Sequence, residues 1–259
     1  MAQDATVYLN EGDVQVERIG GISTVSFFHP KSNSLPGRVL KKLAQAIATE
    51  GQRPEVHVIV LRSEGEKAFC AGASFDELLS LNNRADADAF FMGFAHVINA
   101  CRTCPVPIVG RVQGKAVGGG VGLAASVDYC FATQASQIKL SELAVGIGPF
   151  VVGPAVERKM GLSAYSDMAF NATEWKSAAW AREKGLFMEV FDEVQEMDAA
   201  VQQLAQRLAQ SSRDALTNIK KVCWAGTEHW DSLLQERAGI SGRLILEPTA
   251  RGILQQLKG

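Results

Sequence analysis

Two glycine-bearing loops hold the residues whose types and spacing could carry chemistry. The first loop, KAFCAGAS at 67–74, and the second loop, GKAVGGGVGL at 114–123, each follow an apolar stretch. Successive glycines let a backbone bend sharply and approach another molecule closely. Where such a turn opens a helix, free N–H groups and the helix dipole attract a negative charge. The loops therefore predict either an anion-stabilising site or turns in which glycine serves only close packing.

The second loop does not match the glycine-rich motifs that bind nucleotides. A dinucleotide fingerprint needs glycines at i, i+2 and i+5, and Leu123 stands at the third of these positions. A phosphate loop needs a glycine five residues before Gly114 and a Ser or Thr in place of Ala116. Glycine content alone leaves a functional loop and a packing loop equally open.

Alternating strands and helices must position these loops. The pattern over 14–27 predicts a β-hairpin with one buried face, and helical spacing follows over 35–50 and 90–101. An apolar run at 56–61 predicts a strand covered on both faces, and further strands are expected at 108–112 and 129–133. This order of elements is typical of an α/β architecture. From Met197 onward long helical patterns dominate, in a segment too thin to bury a core of its own.

Composition excludes several classes of function. Of 259 residues, 47% are apolar and 21% are charged, which is ordinary for a globular chain, and the net charge of −2 provides no basic field for nucleic acid. The pair Lys220-Lys221 is typical of a solvated helix face. No secretory leader and no apolar run of about 20 residues is visible, so we expect a cytoplasmic protein without a membrane partner.

The five cysteines do not indicate a disulfide framework, because their number is odd and they are scattered. Cys101 and Cys104 form a CxxC pair. A zinc site would need a second pair of ligands, and a redox site would need a thioredoxin-like context. We therefore expect two ordinary helix cysteines and no metal site.

The two loops together resemble the signature loops of the crotonase superfamily, the enoyl-CoA hydratase/isomerase family. The linking segment CPVPIV at 104–109, the DYC at 128–130 and the helix-like SAAWAREKGL at 177–186 are also similar to this family. The resemblance runs from about residue 12 to 255. It implies an α/β fold built as a spiral of repeated ββα units, with a catalytic core at 1–196 and a C-terminal helical trimerisation region at 197–259.

The resemblance also implies the binding groups for a coenzyme A thioester. Backbone N–H groups of Ala73 and Gly119 would bind the thioester oxygen as negative charge develops there. The coenzyme would lie along Lys31, Ser32, Asn33, Ser34 and Leu35 and along Ala71, Gly72 and Ala73, beside Gly118, Gly122 and Phe150. Lys31 is equally typical of an ordinary solvated lysine. Coenzyme A would enter as part of the substrate, and no permanently bound cofactor is expected.

The carboxylates depart from the pattern of the family's hydratases. Those enzymes divide proton transfers between two glutamates, of which one activates water and the other protonates carbon. Here Gly122 stands at the first position and Glu142 at the second. A glutamate at 122 would be compatible with the dipole of the helix that begins there. Glu142 could also be a plain surface carboxylate, but its SELAVGI context favours a catalytic role.

A single carboxylate favours isomerisation, in which one base moves the double bond of a 3-enoyl-CoA to the 2-position without water. Hydration by Glu142 alone is the alternative, and a weakly catalytic CoA-ester-binding or RNA-binding relative is the next. Phe150 stands where dehalogenase and dienoyl-isomerase relatives carry an aspartate, which disfavours both chemistries. Phe90, Phe91, Met92 and Phe94 either line the acyl pocket or form plain core.

The resemblance implies a homotrimer or a dimer of trimers. Basic residues near the C-terminus of relatives contact a neighbour's coenzyme, and Lys258 is the candidate here.

Overall fold

Two sheets form the framework of the computed structural model, which describes residues 11–258. The large sheet has the strand order β1-β2-β3-β5-β7-β9, and the small sheet has the order β4-β6-β8. Only the β1–β2 hairpin is antiparallel; every other neighbouring pair in these described sheets is parallel. The strands are β1 Asp13–Ile19, β2 Ile22–Phe28, β3 Val58–Ser63, β4 Ala68–Cys70, β5 Ile108–Val112, β6 Lys115–Val117, β7 Tyr129–Thr133, β8 Ile138–Lys139 and β9 Glu189–Phe191.

The two sheets grow together along the chain. Each large-sheet strand β3, β5 and β7 is followed at once by a small-sheet strand, β4, β6 and β8. The helices are α1 Gly37–Gln52, α2 Phe75–Ser80, α3 Arg84–Thr103, α4 Gly119–Ser126, α5 Gly153–Met160, α6 Leu162–Phe170, α7 Ala178–Glu183, α8 Val194–Ala209, α9 Arg213–Cys223, α10 Trp230–Leu244 and α11 Pro248–Lys258, with a 3₁₀ turn at Glu142–Val145. This alternation confirms the predicted α/β fold of repeated ββα units.

The two faces of the large sheet are covered by different elements. In β3, Ile59 and Leu61 point into the main core, whereas Val58 and Val60 pack with α8 in a second cluster. Successive strand residues face opposite sides, so a strand covered on both faces reads as one apolar run. This arrangement explains the unbroken hydrophobicity that predicted the strand.

The helices after residue 196 pack on the rest of the chain. Helix α8 begins at Val194, so it crosses the expected boundary between 196 and 197, and α10 packs along α3. Trp224 and Trp230 are buried, with their ring centroids 5.8 Å apart in an edge-to-face arrangement. No helix in the described part of the chain is both long and apolar enough to cross a membrane. The domain boundary and the trimerisation region remain predictions.

The CxxC cysteines belong to the core. Cys101 lies in α3 and Cys104 ends that helix; both are buried free thiols. Burial raises the pKa of Cys101 to about 12, which keeps the thiol protonated and unreactive. Within residues 11–258, no group of three or more His, Cys, Asp and Glu residues is arranged to hold a metal ion.

The interpretation of Lys220-Lys221 as a solvated pair is wrong for Lys220. Its side chain is only 4% exposed, and its Nζ lies 2.8 Å from Asp128 Oδ2. The same ammonium donates to the Val106 carbonyl at 3.0 Å. Trp224 Nε1 donates to the other carboxylate oxygen of Asp128 at 2.7 Å. A buried ion pair thus ties α9 to the loops that flank β5 and β7, while Lys221 stays exposed.

We expect Lys220→Ala to lower the free energy of unfolding by about 3 kcal/mol or more, because it leaves the Asp128 carboxylate without its buried partner. Urea denaturation measures this loss. Lys221→Ala is the matched control and should change stability by less than about 0.5 kcal/mol. Equal effects of the two substitutions would contradict the assigned role of the ion pair.

Candidate active site

The small sheet brings the two glycine loops together. Strands β4 and β6 are parallel neighbours, so the loops that follow them leave the sheet at the same edge. Gly72 has a φ of +87°, and a Cβ on it would lie 2.7 Å from the Val117 carbonyl oxygen and 3.5 Å from the Gly119 nitrogen. Only glycine allows this backbone conformation and this approach at once. The loops therefore meet backbone to backbone.

The backbone N–H of Ala73 points away from the neighbouring backbone segment at Leu35. Leu35 donates to the Gly72 carbonyl at 2.7 Å, and Ser74 donates to the Leu35 carbonyl at 3.2 Å. Because N–H groups alternate in direction along an extended chain, the intervening Ala73 N–H points to the opposite side. It donates to no acceptor in the described part of the chain.

Gly119 supplies the second candidate N–H. It is the first residue of α4, and the first N–H groups of a helix have no acceptor within the helix. Ala73 and Gly119 line the same cavity. The predicted pair of donors is therefore brought together at one site, next to the positive end of a helix dipole.

The neighbours of the second loop leave no space for side chains at its glycines. A Cβ on Gly119 would overlap the ring of Phe94, and a Cβ on Gly120 would lie 2.5 Å from the Cys70 carbonyl oxygen. Both neighbours are buried, so they have little room to move. Close packing therefore requires glycine at both positions.

Glu142 lies directly against this loop. A Cβ on Gly118 would sit 2.7 Å from Glu142 Oε1, and Gly118 adopts a φ of +51°. The residue as a whole is half-buried, but its Oε2 is shielded from solvent and has no hydrogen-bond partner among the described residues. Desolvation by burial raises the pKa of Glu142 to about 7, and its own backbone N–H only partly opposes this shift. The carboxyl therefore titrates near neutrality, which suits a group that takes and returns a proton.

The cavity that holds these groups has a volume of about 200 Å³ and is mainly apolar. Of the described residues that line it, only Glu142 has an ionisable side chain. Its walls come from both loops, α2, α3, the 142–152 segment and α10; they are Ala71, Gly72, Ala73, Phe75, Leu78, Phe91, Phe94, Val117, Gly118, Gly119, Ser141, Glu142, Val145, Ile147, Gly148, Pro149, Phe150, Val151, Val152 and Ser241. The arrangement can hold an uncharged chain beside one base and two N–H donors.

Sequence reasoning placed part of this wall correctly. Phe91 and Phe94 line the cavity, whereas Phe90 and Met92 do not. Phe75, Leu78 and Ser241 were missed. The two residues of α2 carry a weak signal, since they follow the first loop at helical spacing, but Ser241 lies far away in the sequence and no local pattern indicates it.

Gly122 does not lie at the cavity with the other predicted groups, and its predicted contact with the substrate or coenzyme remains a prediction. Gly122 lies within α4, does not line the cavity, and a Cβ on it would overlap Val152, whose own Cβ would be 2.8 Å away. A glutamate at this position is compatible with the helix dipole but not with the space. Val152 takes the place at the cavity wall.

The 31–35 segment lies beside the first loop rather than in the cavity. Ala71 donates to the Ser32 carbonyl at 3.1 Å, and the Leu35 backbone pairs with the 72–74 segment. Asn33 is buried and its amide donates to the carbonyls of Glu64 and Ala68. Ser34 Oγ lies 3.1 Å from His29 Nδ1. These groups support the first loop, and their predicted contact with coenzyme A remains a prediction.

Cationic groups collect outside this segment. Lys31 is exposed and pairs with Asp76 of α2. Lys31, His29 and Lys258 all act on Asp76 and lower the pKa of its carboxyl, with the Lys31 hydrogen bond as the largest cause. Lys258 thus lies within electrostatic reach of the 31–35 segment of its own chain. Its predicted contact with a neighbour's coenzyme remains a prediction.

Helix α11 packs against the elements that carry the site. Arg251 donates to the carbonyls of Leu78 and Leu79 in α2 at 3.2 and 3.1 Å. A Cβ on Gly146, which ends the 3₁₀ turn of Glu142, would lie 2.9 Å from the Cα of Ala250. One helix therefore contacts both the cavity wall and the turn that bears the carboxylate.

Comparison with known proteins identifies this arrangement. The model of a family described as enoyl-CoA hydratase/isomerase matches residues 17–241, which is most of the chain. The chain belongs to the enoyl-CoA hydratase/isomerase family. Membership in this family, the crotonase superfamily, confirms the resemblance seen in the two glycine loops.

Solved structures and curated relatives are similar to this chain in fold and in sequence. An enoyl-CoA hydratase from Bacillus halodurans superposes with a TM-score of 0.86 over 94% of this chain and 99% of that chain at 19% identity, which shows the crotonase-type fold. A (7aS)-7a-methyl-1,5-dioxo-2,3,5,6,7,7a-hexahydro-1H-indene-carboxyl-CoA hydrolase from Rhodococcus jostii is 34% identical over 48% of this chain and 47% of its own length. The mitochondrial methylglutaconyl-CoA hydratase of Mus musculus is 31% identical over 65% of this chain and 53% of its own length. The chain spans about half the length of these two relatives.

The raised pKa of Glu142 has a consequence for stability. Below about pH 4.5 the carboxyl is protonated in both the folded and the unfolded chain, so it has no effect. Between about pH 4.5 and 7 the unfolded chain ionises this carboxyl while the folded chain still holds its proton, so the fold loses stability across this window and stays less stable above it. Above pH 7 we expect the free energy of unfolding of Glu142→Gln, measured by urea denaturation, to exceed that of the wild type by up to about 3 kcal/mol. This advantage should nearly vanish at pH 4.5. The exposed Glu174→Gln is the control, and an advantage of Glu142→Gln that does not vary with pH would contradict the desolvated carboxylate.

Proposed function

We propose that the protein is an enoyl-CoA isomerase that moves a double bond from the 3- to the 2-position of an acyl-CoA thioester. The observation that carries this proposal is that Glu142 is the only ionisable side chain lining the apolar cavity of the described chain. A reaction that needs one base, and no water, matches this content. Coenzyme A enters as part of the substrate.

In the proposed mechanism one carboxylate moves one proton twice. The Glu142 carboxylate takes a proton from C2, the electrons of the broken C–H bond pass into the thioester, and the carbonyl oxygen becomes a dienolate oxygen. The N–H groups of Ala73 and Gly119 stabilise that charge, at about 3–4 kcal/mol for each donor. The protonated Glu142 then returns the proton to C4, which leaves the double bond between C2 and C3. Atoms and charge balance without a second reactant.

The pKa of Glu142 favours this use. A base near neutrality is ionised often enough to accept a proton and is acidic enough, once protonated, to give it back. The apolar segment at 147–152 forms the wall beside the carboxylate, excludes water and keeps the pKa high.

The coenzyme has a matching surface outside the cavity. Lys31 begins the 31–35 segment, Lys258 lies within electrostatic reach of its partner Asp76, and both lysines are exposed. Cationic groups of this kind suit the phosphates of coenzyme A. A homotrimer or dimer of trimers, and a cytoplasmic location, are part of the same proposal and rest on the resemblance and the sequence.

Hydration by Glu142 alone is the second candidate. The hydroxyl-bearing Ser141 and Ser241 line the cavity and could hold a water molecule near the carboxylate. Curated relatives carry the names hydratase and hydrolase, and both of those reactions consume water. Assays with matched 3-enoyl-CoA and 2-enoyl-CoA esters separate isomerisation, hydration and thioester hydrolysis.

Glu142→Gln tests the proposed mechanism. We expect kcat/KM of the wild type for a 3-enoyl-CoA to rise as the pH passes through about 7, because only the ionised carboxylate accepts a proton. The variant should lose at least about a hundredfold in kcat while it still binds the ester. Glu174→Gln is the exposed control. Turnover of Glu142→Gln within about threefold of the wild type would rule out the proposed proton shuttle.

A second carboxylate should convert the reaction, if space is made for it. Gly122→Glu alone should destabilise the fold by about 1–3 kcal/mol, because its Cβ overlaps Val152. Gly122→Glu combined with Val152→Gly removes the overlap and places a carboxylate near Glu142. We expect the double variant to hydrate a 2-enoyl-CoA faster and to isomerise a 3-enoyl-CoA more slowly, because like charges raise one of the two pKa values. Val152→Gly alone is the control. A folded double variant with the hydration rate of this control would show that residue 122 does not set the reaction type.

A further inference from the structure

A second cavity lies behind the wall of the reacting one. It has a volume of about 490 Å³ and is lined from α5, α6, α10 and the turn before α10. Phe150 lines both cavities, so the wall between them is one side chain thick at this point. Unlike the first cavity, the second carries several polar and charged groups.

Arg237 gives the second cavity its unusual feature. The residue is half-buried, but its Nε is shielded from solvent and has no hydrogen-bond partner within residues 11–258. A shielded cationic N–H without a partner is costly, and such groups are rare in native structures. The missing partner of a guanidinium is most often a carboxylate or a phosphate, which it binds through two parallel N–H groups.

Tyr165 places a neutral donor beside this cation. Its hydroxyl lies 3.4 Å from the Pro149 carbonyl, and Pro149 belongs to the wall of the reacting cavity. Burial raises the pKa of Tyr165, with smaller contributions from Glu142 and Glu157, while Arg237 opposes the shift. The hydroxyl therefore stays protonated at neutral pH, and it is within electrostatic reach of both Glu142 and Arg237.

The net charge around the second cavity is positive. Arg158 lines it and stacks over the Trp224 ring, 4.4 Å from the ring centroid. Glu157 is the only acidic side chain among its described lining residues; it is exposed and makes no ion pair within the described chain. Two guanidinium groups against one solvated carboxylate favour an anionic occupant.

Helix α10 links the two cavities at a short distance. Ser241 lines the first and Arg237 the second, and Ser241 Oγ donates to the Arg237 carbonyl at 3.3 Å. Residues four apart on a helix are neighbours, with about 5–6 Å between their Cβ atoms. The two cavities therefore lie one helical turn apart along α10 and share the Phe150 ring.

We propose that the far end of the acyl group passes the Phe150 ring into the second cavity and that this end is a carboxylate, which pairs with the guanidinium of Arg237. The preferred substrates are then acyl-CoA thioesters of short dicarboxylic acids. This inference rests on the proposed function for the position of the thioester, and it assigns the substrate class of the same site.

Direct binding tests the inference apart from turnover. Calorimetry on the full chain compares two saturated acyl-CoA esters of equal length, of which one ends in a carboxylate and the other in its methyl ester. We expect the carboxylate to bind at least about tenfold more tightly, Arg237→Met to abolish that difference, and Arg237→Lys to restore part of it. Arg243→Met is the matched control, since this arginine is exposed on the same helix and pairs with Glu247; it should keep the wild-type difference.

The outcomes separate this inference from the proposed function. Equal affinities of the wild type for the two esters, or a preference that Arg237→Met leaves intact, would overturn the inference even if the enzyme isomerises neutral 3-enoyl-CoA esters. A carboxylate preference that depends on Arg237, in a protein that isomerises neither ester series, would support the second cavity and refute the proposed reaction. If Arg237→Met does not fold, the wild-type comparison and Arg237→Lys still decide.

Discussion

The close approach of two backbones, at Gly72 and at 117–119, is the constraint on which the rest of the site depends. The small sheet makes β4 and β6 neighbours, but their following loops can touch only where side chains are absent. This contact sets Ala73 and Gly119 side by side, starts α4 at the cavity, and leaves Gly118 bare for the carboxylate of Glu142. A side chain at any of these glycines would push the two loops and Glu142 apart.

Burial and chemistry are coupled at Glu142. The apolar wall of the cavity shields this carboxylate from water and raises its pKa to about 7. The fold is therefore less stable at neutral pH than it would be with an uncharged side chain at residue 142. A loss of stability of this kind is common at active sites. Phe94 and Val152, which line the same cavity, are both buried in the main core.

Local sequence patterns predicted the local features well. The bounds of β5 and β7 agree with their apolar runs, and the hairpin follows its alternation. Helix spacing located α1 to within two residues at each end, whereas α3 begins at Arg84, six residues before the predicted start. The prediction of Ala73, Gly119 and Glu142 as site residues came from the resemblance of the motifs to a known family. Contacts between distant segments were not accessible in this way: Lys220 looks solvated until Asp128 is placed against it, and Ser241 and Arg237 reach the cavities only because α10 packs on α3. The crowding at Gly122 was not accessible either, since the side chain that leaves no room for a glutamate there belongs to residue 152.

The packing of α11 has a consequence for the order in which the protein matures. Arg251 caps the carbonyls of α2, and Ala250 fills the space beside Gly146, yet the strands, the loops and Glu142 are all synthesised before this helix. Domains fold as their chain emerges from the ribosome, at about 5–20 residues per second. For several seconds after Glu142 appears, the nascent chain holds both glycine loops and the base but lacks the helix that fixes the turn beneath them. Assembly of the site is thereby delayed until the helical segment that encloses it has been made.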